Sequence, residues 1–126
     1  MADRLLIIES GKLPAESSMI RLVAQENGLC CDMGSWESFQ PESLRQCGAA
    51  LVVVMAEADP GKALTLFQWL RVNPSVSPTL AILPSNSDSE FLRAASEASA
   101  DFMLAPIRKN ELRFRMRRIQ IGRAHV

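Results

Sequence analysis

Two hydrophobic rhythms alternate along the chain. Leu5-Leu6-Ile7-Ile8 is a short unbroken apolar run and predicts a buried strand. Residues 14–27 switch to helical spacing, with Met19, Leu22 and Val23 on one face. Pro14 suits the first turn of that helix and Gly28 the residue past its end. Residues 29–33 read as a weaker strand. Residues 35–46 are less regular, with helical character around 41–46, and Gly48 punctuates them. Residues 49–55 form the strongest strand, apolar throughout and rich in β-branched valine. A helix over 61–72 turns Leu64, Phe67 and Leu70 inward and stops at Asn73-Pro74. Residues 79–83 are the next strand and 84–88 a polar loop. A helix over 89–99 buries Phe91, Leu92, Ala95 and Ala98. Residues 101–104 form the last strand, ended by Pro106, and Asn110 can cap a final helix running to about Ile121.

Five strands thus alternate with five helices. The strands are short and apolar without alternation, as strands covered on both faces are. Such alternation predicts an α/β fold, a doubly wound parallel sheet between two layers of helices. In such folds binding sites lie at the carboxyl ends of the strands. The expected organisation is one domain over residues 1–121 and a disordered tail over 122–126.

Composition narrows the partners. The chain has 126 residues, 48% hydrophobic and 22% charged, with a formal net charge of zero. The molecule as a whole therefore has no electrostatic reason to seek nucleic acid or an anionic membrane. The longest apolar run, 49–56, is too short to span a bilayer. Met1-Ala2-Asp3-Arg4 leads straight into a strand without the features of a secretory signal, so a cytoplasmic protein is expected. The three cysteines Cys30, Cys31 and Cys47 are an odd set in a chain that needs no staples, and they read as reduced thiols, the adjacent pair as small apolar fillers. The only histidine is His125, which leaves no Ser/His/Asp or Cys/His set to assemble and no metal cluster.

Two stretches carry more specific information. One is Ala98-Ser99-Ala100-Asp101-Phe102-Met103-Leu104-Ala105-Pro106. The other is Leu51-Val52-Val53-Val54-Met55, followed by Asp59-Pro60-Gly61 and residues 64–71. With the order and spacing of the elements, they resemble the receiver domain of two-component response regulators, a flavodoxin-like five-stranded parallel sheet with five helices. The likeness covers residues 4 to about 121. The first stretch looks like the family's "GADDFLLKP" segment and the second like the segment around its phosphoacceptor.

The resemblance implies a phosphorylation site at the strand ends, and this chain departs from it at most positions. The family's magnesium-binding acidic pair falls on Glu9 and Ser10, so one carboxylate remains, and Glu9 is the sole metal-ligand candidate. The phosphoacceptor falls on Met55, whose thioether cannot form an acyl phosphate. The phosphate-holding hydroxyl falls on Leu83 or Pro84, and the lysine on Ala105, which removes the cation that balances phosphate. Pro106 is kept, and the resemblance implies a cis bond before it. The switch aromatic falls on Phe102. The expectation is a pseudo-receiver: a regulatory domain that is not an enzyme, carries no cofactor, and controls an output domain such as a transcription regulator through phosphorylation-independent contacts. Two other readings stay open. One is a receiver phosphorylated on Asp59 or Glu57, and the other a small-molecule binder using the strand-end crevice.

The last helix supplies a candidate surface. Seven of the fourteen basic residues lie between Arg108 and Arg123. Leu112, Met116 and Ile119 make an inward stripe, so Phe114 and Ile121 fall on the opposite side, beside Arg115, Arg117 and Arg118. The expected contact is a protein partner, a second copy or an output domain beyond Val126, met through the face of the fourth helix, fifth strand and fifth helix. Trp69 is expected to point away from the inward face of its helix. Local charge on a neutral chain argues against direct nucleic-acid binding.

Overall fold

A computed structural model describes residues 3–73 and 77–124. In chain order the elements are β1 (Asp3–Glu9), α1 (Pro14–Glu26), β2 (Leu29–Ser35), a 3-10 turn (Pro41–Arg45), β3 (Leu51–Met55), α2 (Pro60–Val72), β4 (Thr79–Leu83), α3 (Ser89–Ala98), β5 (Asp101–Leu104) and α4 (Lys109–Ala124). The five strands form one parallel sheet in the order β2-β1-β3-β4-β5. The expected doubly wound sheet is therefore borne out.

The unbroken apolar runs follow from burial on both faces. Along β3, Leu51, Val53 and Met55 join the core under α1 and α4, with Ile20, Val23, Leu112 and Met116. Val52 and Val54 face the other way, into the core under α2 and α3, with Leu66, Phe67 and Ala95. All five β3 residues and all five β4 residues are buried. Gly28 closes α1 at φ +74°, a left-handed conformation that glycine adopts without steric cost.

Four details differ from the sequence-based expectation. Residues 35–46 hold a single 3-10 turn where a fifth helix was expected, because only Leu44 among residues 41–46 has an apolar side chain to bury and no helical stripe repeats. The buried face of α1 is Ile20, Val23 and Ala24, while Leu22 is exposed. Cys30 is exposed and so is no core filler; Cys31 is half-buried against the core. The last helix runs to Ala124, past the expected end at Ile121 and into the segment read as a tail. His125 and Val126 lie outside the described residues.

Candidate functional site at the carboxyl ends of the strands

The parallel register brings the ends of β1, β3, β4 and β5 side by side. Glu9 closes β1 and is half-buried. Its carboxylate accepts a hydrogen bond from the Ser17 hydroxyl, which reaches down from the first turns of α1. Ser17 is only 5% exposed, and the same hydroxyl lies 3.6 Å from the Met55 Sδ. Met55 is 1% exposed. One serine thus links the end of β1 to the end of β3. The neighbouring Ser10 is a turn residue, its Oγ accepting from the Lys12 amide at 3.3 Å.

A second plug comes from the other side of the sheet. Trp36, just past β2, is 2% exposed, and its indole Nε1–H donates to the Met55 carbonyl at 3.1 Å. A buried indole needs such a partner. Phe39 stands edge-on to it at 6.0 Å. The Trp36 carbonyl in turn accepts from the Lys62 ammonium at 2.6 Å. Lys62 therefore serves the backbone of this plug.

On β4 and β5 the positions are apolar. Leu83 is buried, and its carbonyl accepts from the Ala105 amide at 2.8 Å. Pro84 is half-buried, with its carbonyl bonded to the Ser87 hydroxyl at 2.7 Å. Ala105 is 6% exposed, and the Ala105–Pro106 bond is cis. Phe102 is half-buried and packs on the α2/α3 core.

The remaining acids stand on the β3–α2 loop and on α1. Asp59 is the N-cap of α2, its Oδ1 accepting from the Lys62 amide at 3.1 Å. Glu57 is exposed. Glu16, half-buried on α1, has one carboxylate oxygen enclosed without a hydrogen-bond partner. Burial, and secondarily the charge of Glu57, raises its pKa above the ordinary glutamate value. Among the described residues no group of three or more His, Cys, Asp or Glu is arranged to hold a metal ion. The strand ends therefore combine one hydrogen-bonded carboxylate, a thioether, an indole and aliphatic groups, a set suited to packing.

The outer face of α4 is different. Leu112 and Met116 are fully buried and Ile119 packs beside them, whereas Phe114 is 61% and Ile121 57% exposed. Arg118 lies over the Phe114 ring at 5.7 Å. The arginines do not act alike. Arg115 is half-buried and ties α4 to β5, its guanidinium 2.8 Å from Asp101 and 3.2 Å from Glu111. It belongs to the fold's own ion pairs more than to the free surface expected of it. Arg113 clamps Glu26 of α1 at 3.0 Å, and Arg117 reaches Asn27 at 3.4 Å. Leu104, on β5, is also 43% exposed. Asp101, Phe102, Leu104, Pro106 and Arg108 line a shallow hollow of about 480 Å³ beside it. Trp69 is half-buried under the Arg45 guanidinium, 5.5 Å from its ring centre.

Ser17, Glu16 and Trp36 were not legible in the sequence as parts of this site. Trp36 had the only usable signal, an indole in a segment too irregular to bury it by periodicity.

No protein-family model matches the chain, and no curated protein does. Solved structures do. The receiver domain of AraT, a response regulator from Geobacillus stearothermophilus, aligns over 99% of this chain and 98% of its own, with 17% identity and a TM-score of 0.76. The signal receiver domain of a signal transduction histidine kinase from Syntrophus aciditrophicus aligns over 96% and 92%, with 19% identity and a TM-score of 0.75. NtrX from Brucella abortus, solved in complex with ADP, aligns over 97% of this chain but 27% of its own, with 17% identity and a TM-score of 0.65. The fold is that of the receiver domains of two-component signalling. At these identities the likeness is one of fold.

Proposed function

We propose that this chain is a regulatory receiver-like domain that acts by binding a protein partner, with no phosphoryl transfer of its own. The observation that carries the reading is Met55. It occupies the end of β3, is 1% exposed, and is held between the Ser17 hydroxyl and the Trp36 indole. A thioether cannot take a phosphoryl group, and this one is buried in the core under α1 and α4. Glu9 offers one carboxylate, already hydrogen-bonded, where Mg²⁺ needs several oxygens. Ala105 offers no cation to balance phosphate. Phe102, Leu83 and Pro84 remain as parts of the packing, and Pro106 is exposed beside them.

Asp59 and Glu57 are poor substitutes as acceptors. Asp59 caps α2, and Glu57 points into solvent from the loop. The face made by α3, β5 and α4 is the proposed contact surface, because Phe114, Ile121 and Leu104 are exposed there without a structural need. Arg117 and Arg118 supply orientation and charge; Arg115 chiefly fastens the face together. Regulation of an output domain is the proposed role, as in the two-component proteins whose fold this is.

The test is exposure to Mg²⁺ and beryllofluoride, a phosphoryl mimic, with amide resonances recorded. No shifts are expected at residues 9–10, 55–59 and 83–85. Clustered shifts there would overturn the reading in favour of a working receiver.

A further inference from the structure

We infer that the outer face of α4 docks into the α2–α3 groove of a second copy of this chain, giving head-to-tail assembly. The inference rests on the reading of α4 as an interaction face and names its occupant. Phe114 and Ile121 project from one line of the helix, about 10 Å apart along its axis. Arg117 and Arg118 flank them, and neither has a carboxylate partner among the described residues. A surface that fits must be apolar in the middle and acidic at the edge.

The chain carries such a surface on its opposite side. Between α2 and α3 lies a hollow of about 350 Å³ with Leu64, Phe67, Phe91 and Ala94 among its lining. Phe67 and Phe91 meet edge-on at 5.8 Å beneath it. Its rim carries three carboxylates, Asp88, Glu90 and Glu97, against two guanidiniums, Arg71 and Arg93. Those two arginines reach Glu97 only at 3.6 and 3.9 Å across exposed surface, which makes them weak pairs. Glu90 is exposed and without an ion-pair partner among the described residues. The rim is thus net acidic where α4 is net basic.

Geometry makes the match intermolecular. The helix α4 covers one face of the sheet, with α1, and the groove lies on the other, with α2 and α3. One molecule cannot bring the two together, but copies stacked across the sheet can. Knob and hollow are different surfaces, so the contact is heterologous and a dimer keeps one free knob and one free hollow.

The experiment uses sedimentation velocity on the whole chain with two exposed-site variants, each checked for fold by circular dichroism. Phe114→Glu spoils the knob, and Gln68→Arg/Glu90→Arg blocks the groove. Wild type should show concentration-dependent association beyond the dimer. Each variant alone should associate at least ~30-fold more weakly, the scale of losing one hot spot. Mixed in equal amounts, the two variants should recover a 1:1 dimer of about twice the 13.9 kDa chain mass, because each supplies the surface that the other lacks. A monomeric wild type would overturn the inference. If Phe114→Glu abolishes association while the groove variant still associates, α4 remains an interface but the groove is not its occupant, and the inference fails alone.

Discussion

Replacing Met55 by aspartate places an acid at the buried end of β3, and the surroundings of Met55 set the cost. The side chain is 1% exposed and belongs to the core under α1 and α4. Removing a buried methionine side chain costs about 2–5 kcal/mol through lost contacts and residual cavity. Aspartate fills part of that volume but introduces a carboxylate beside the Glu9 carboxylate and the Ser17 hydroxyl. Desolvation and the like charge both raise the new acid's pKa. We expect a loss of about 3–5 kcal/mol at pH 7.5 without Mg²⁺, a large share of the roughly 5–15 kcal/mol that holds such a domain folded.

Two companions separate the causes. Met55→Leu should cost less than about 1.5 kcal/mol, because volume and polarity are conserved. Met55→Asn carries the polarity of Met55→Asp without the charge. An acid whose folded pKa lies above its unfolded value weakens the fold as pH rises through that interval. The gap between Met55→Asp and Met55→Asn should therefore be open at pH 7.5 and nearly closed below pH ~3, where both states of the acid are mostly protonated. Urea melts in a chelating buffer read all of this. If Met55→Asp lies within about 1 kcal/mol of wild type at pH 7.5, the strand end is open to water and the packing argument is wrong.

Two further outcomes test the same site from its edges. Trp36→Phe keeps most of the buried ring but leaves the Met55 carbonyl without its indole donor, so a loss of about 1–3 kcal/mol is expected in denaturant melts; a neutral result would mean that water replaces the indole. Glu16 has a raised folded pKa, so its charged form weakens the fold as pH climbs above the ordinary glutamate value. Glu16→Gln should therefore raise the melting temperature at pH 7.5 and have little effect at pH 4, and equal effects at both pH values would show that the carboxyl is not desolvated.

The sheet was legible because burial on both faces writes itself as unbroken apolar runs, and β1, β3 and β4 are such runs. The identity of the residues at the strand ends followed, since a parallel sheet fixes which positions meet. Periodicity could not choose between neighbouring stripes on α1. Met19, Leu22, Val23 and Ile20, Val23, Ala24 are both helical sets, one residue out of phase, and only packing on the sheet exposes Leu22. Long-range partners were equally hidden. Arg115 reads as one more exposed arginine until β5 brings Asp101 to within 2.8 Å of it. Trp36 meets a carbonyl 19 residues away, and nothing in its own segment announces that meeting.

The surroundings of Met55 also bear on the rival acceptor. Asp59 would have to serve two ends. Its carboxylate already holds the Lys62 amide at the start of α2, and losing such a cap costs roughly 0.5–2 kcal/mol. The Lys62 ammonium is held at the same time by the Trp36 carbonyl, and the Trp36 indole is held by Met55. Moving Asp59 toward the strand ends would therefore disturb the cap, the lysine and the indole together. Each of these contacts is ordinary by itself. On the proposed reading, their shared dependence on the end of β3 makes that strand end a packed one, and the exposed Phe114, Arg118 and Ile121 of α4 are the surface proposed for a partner.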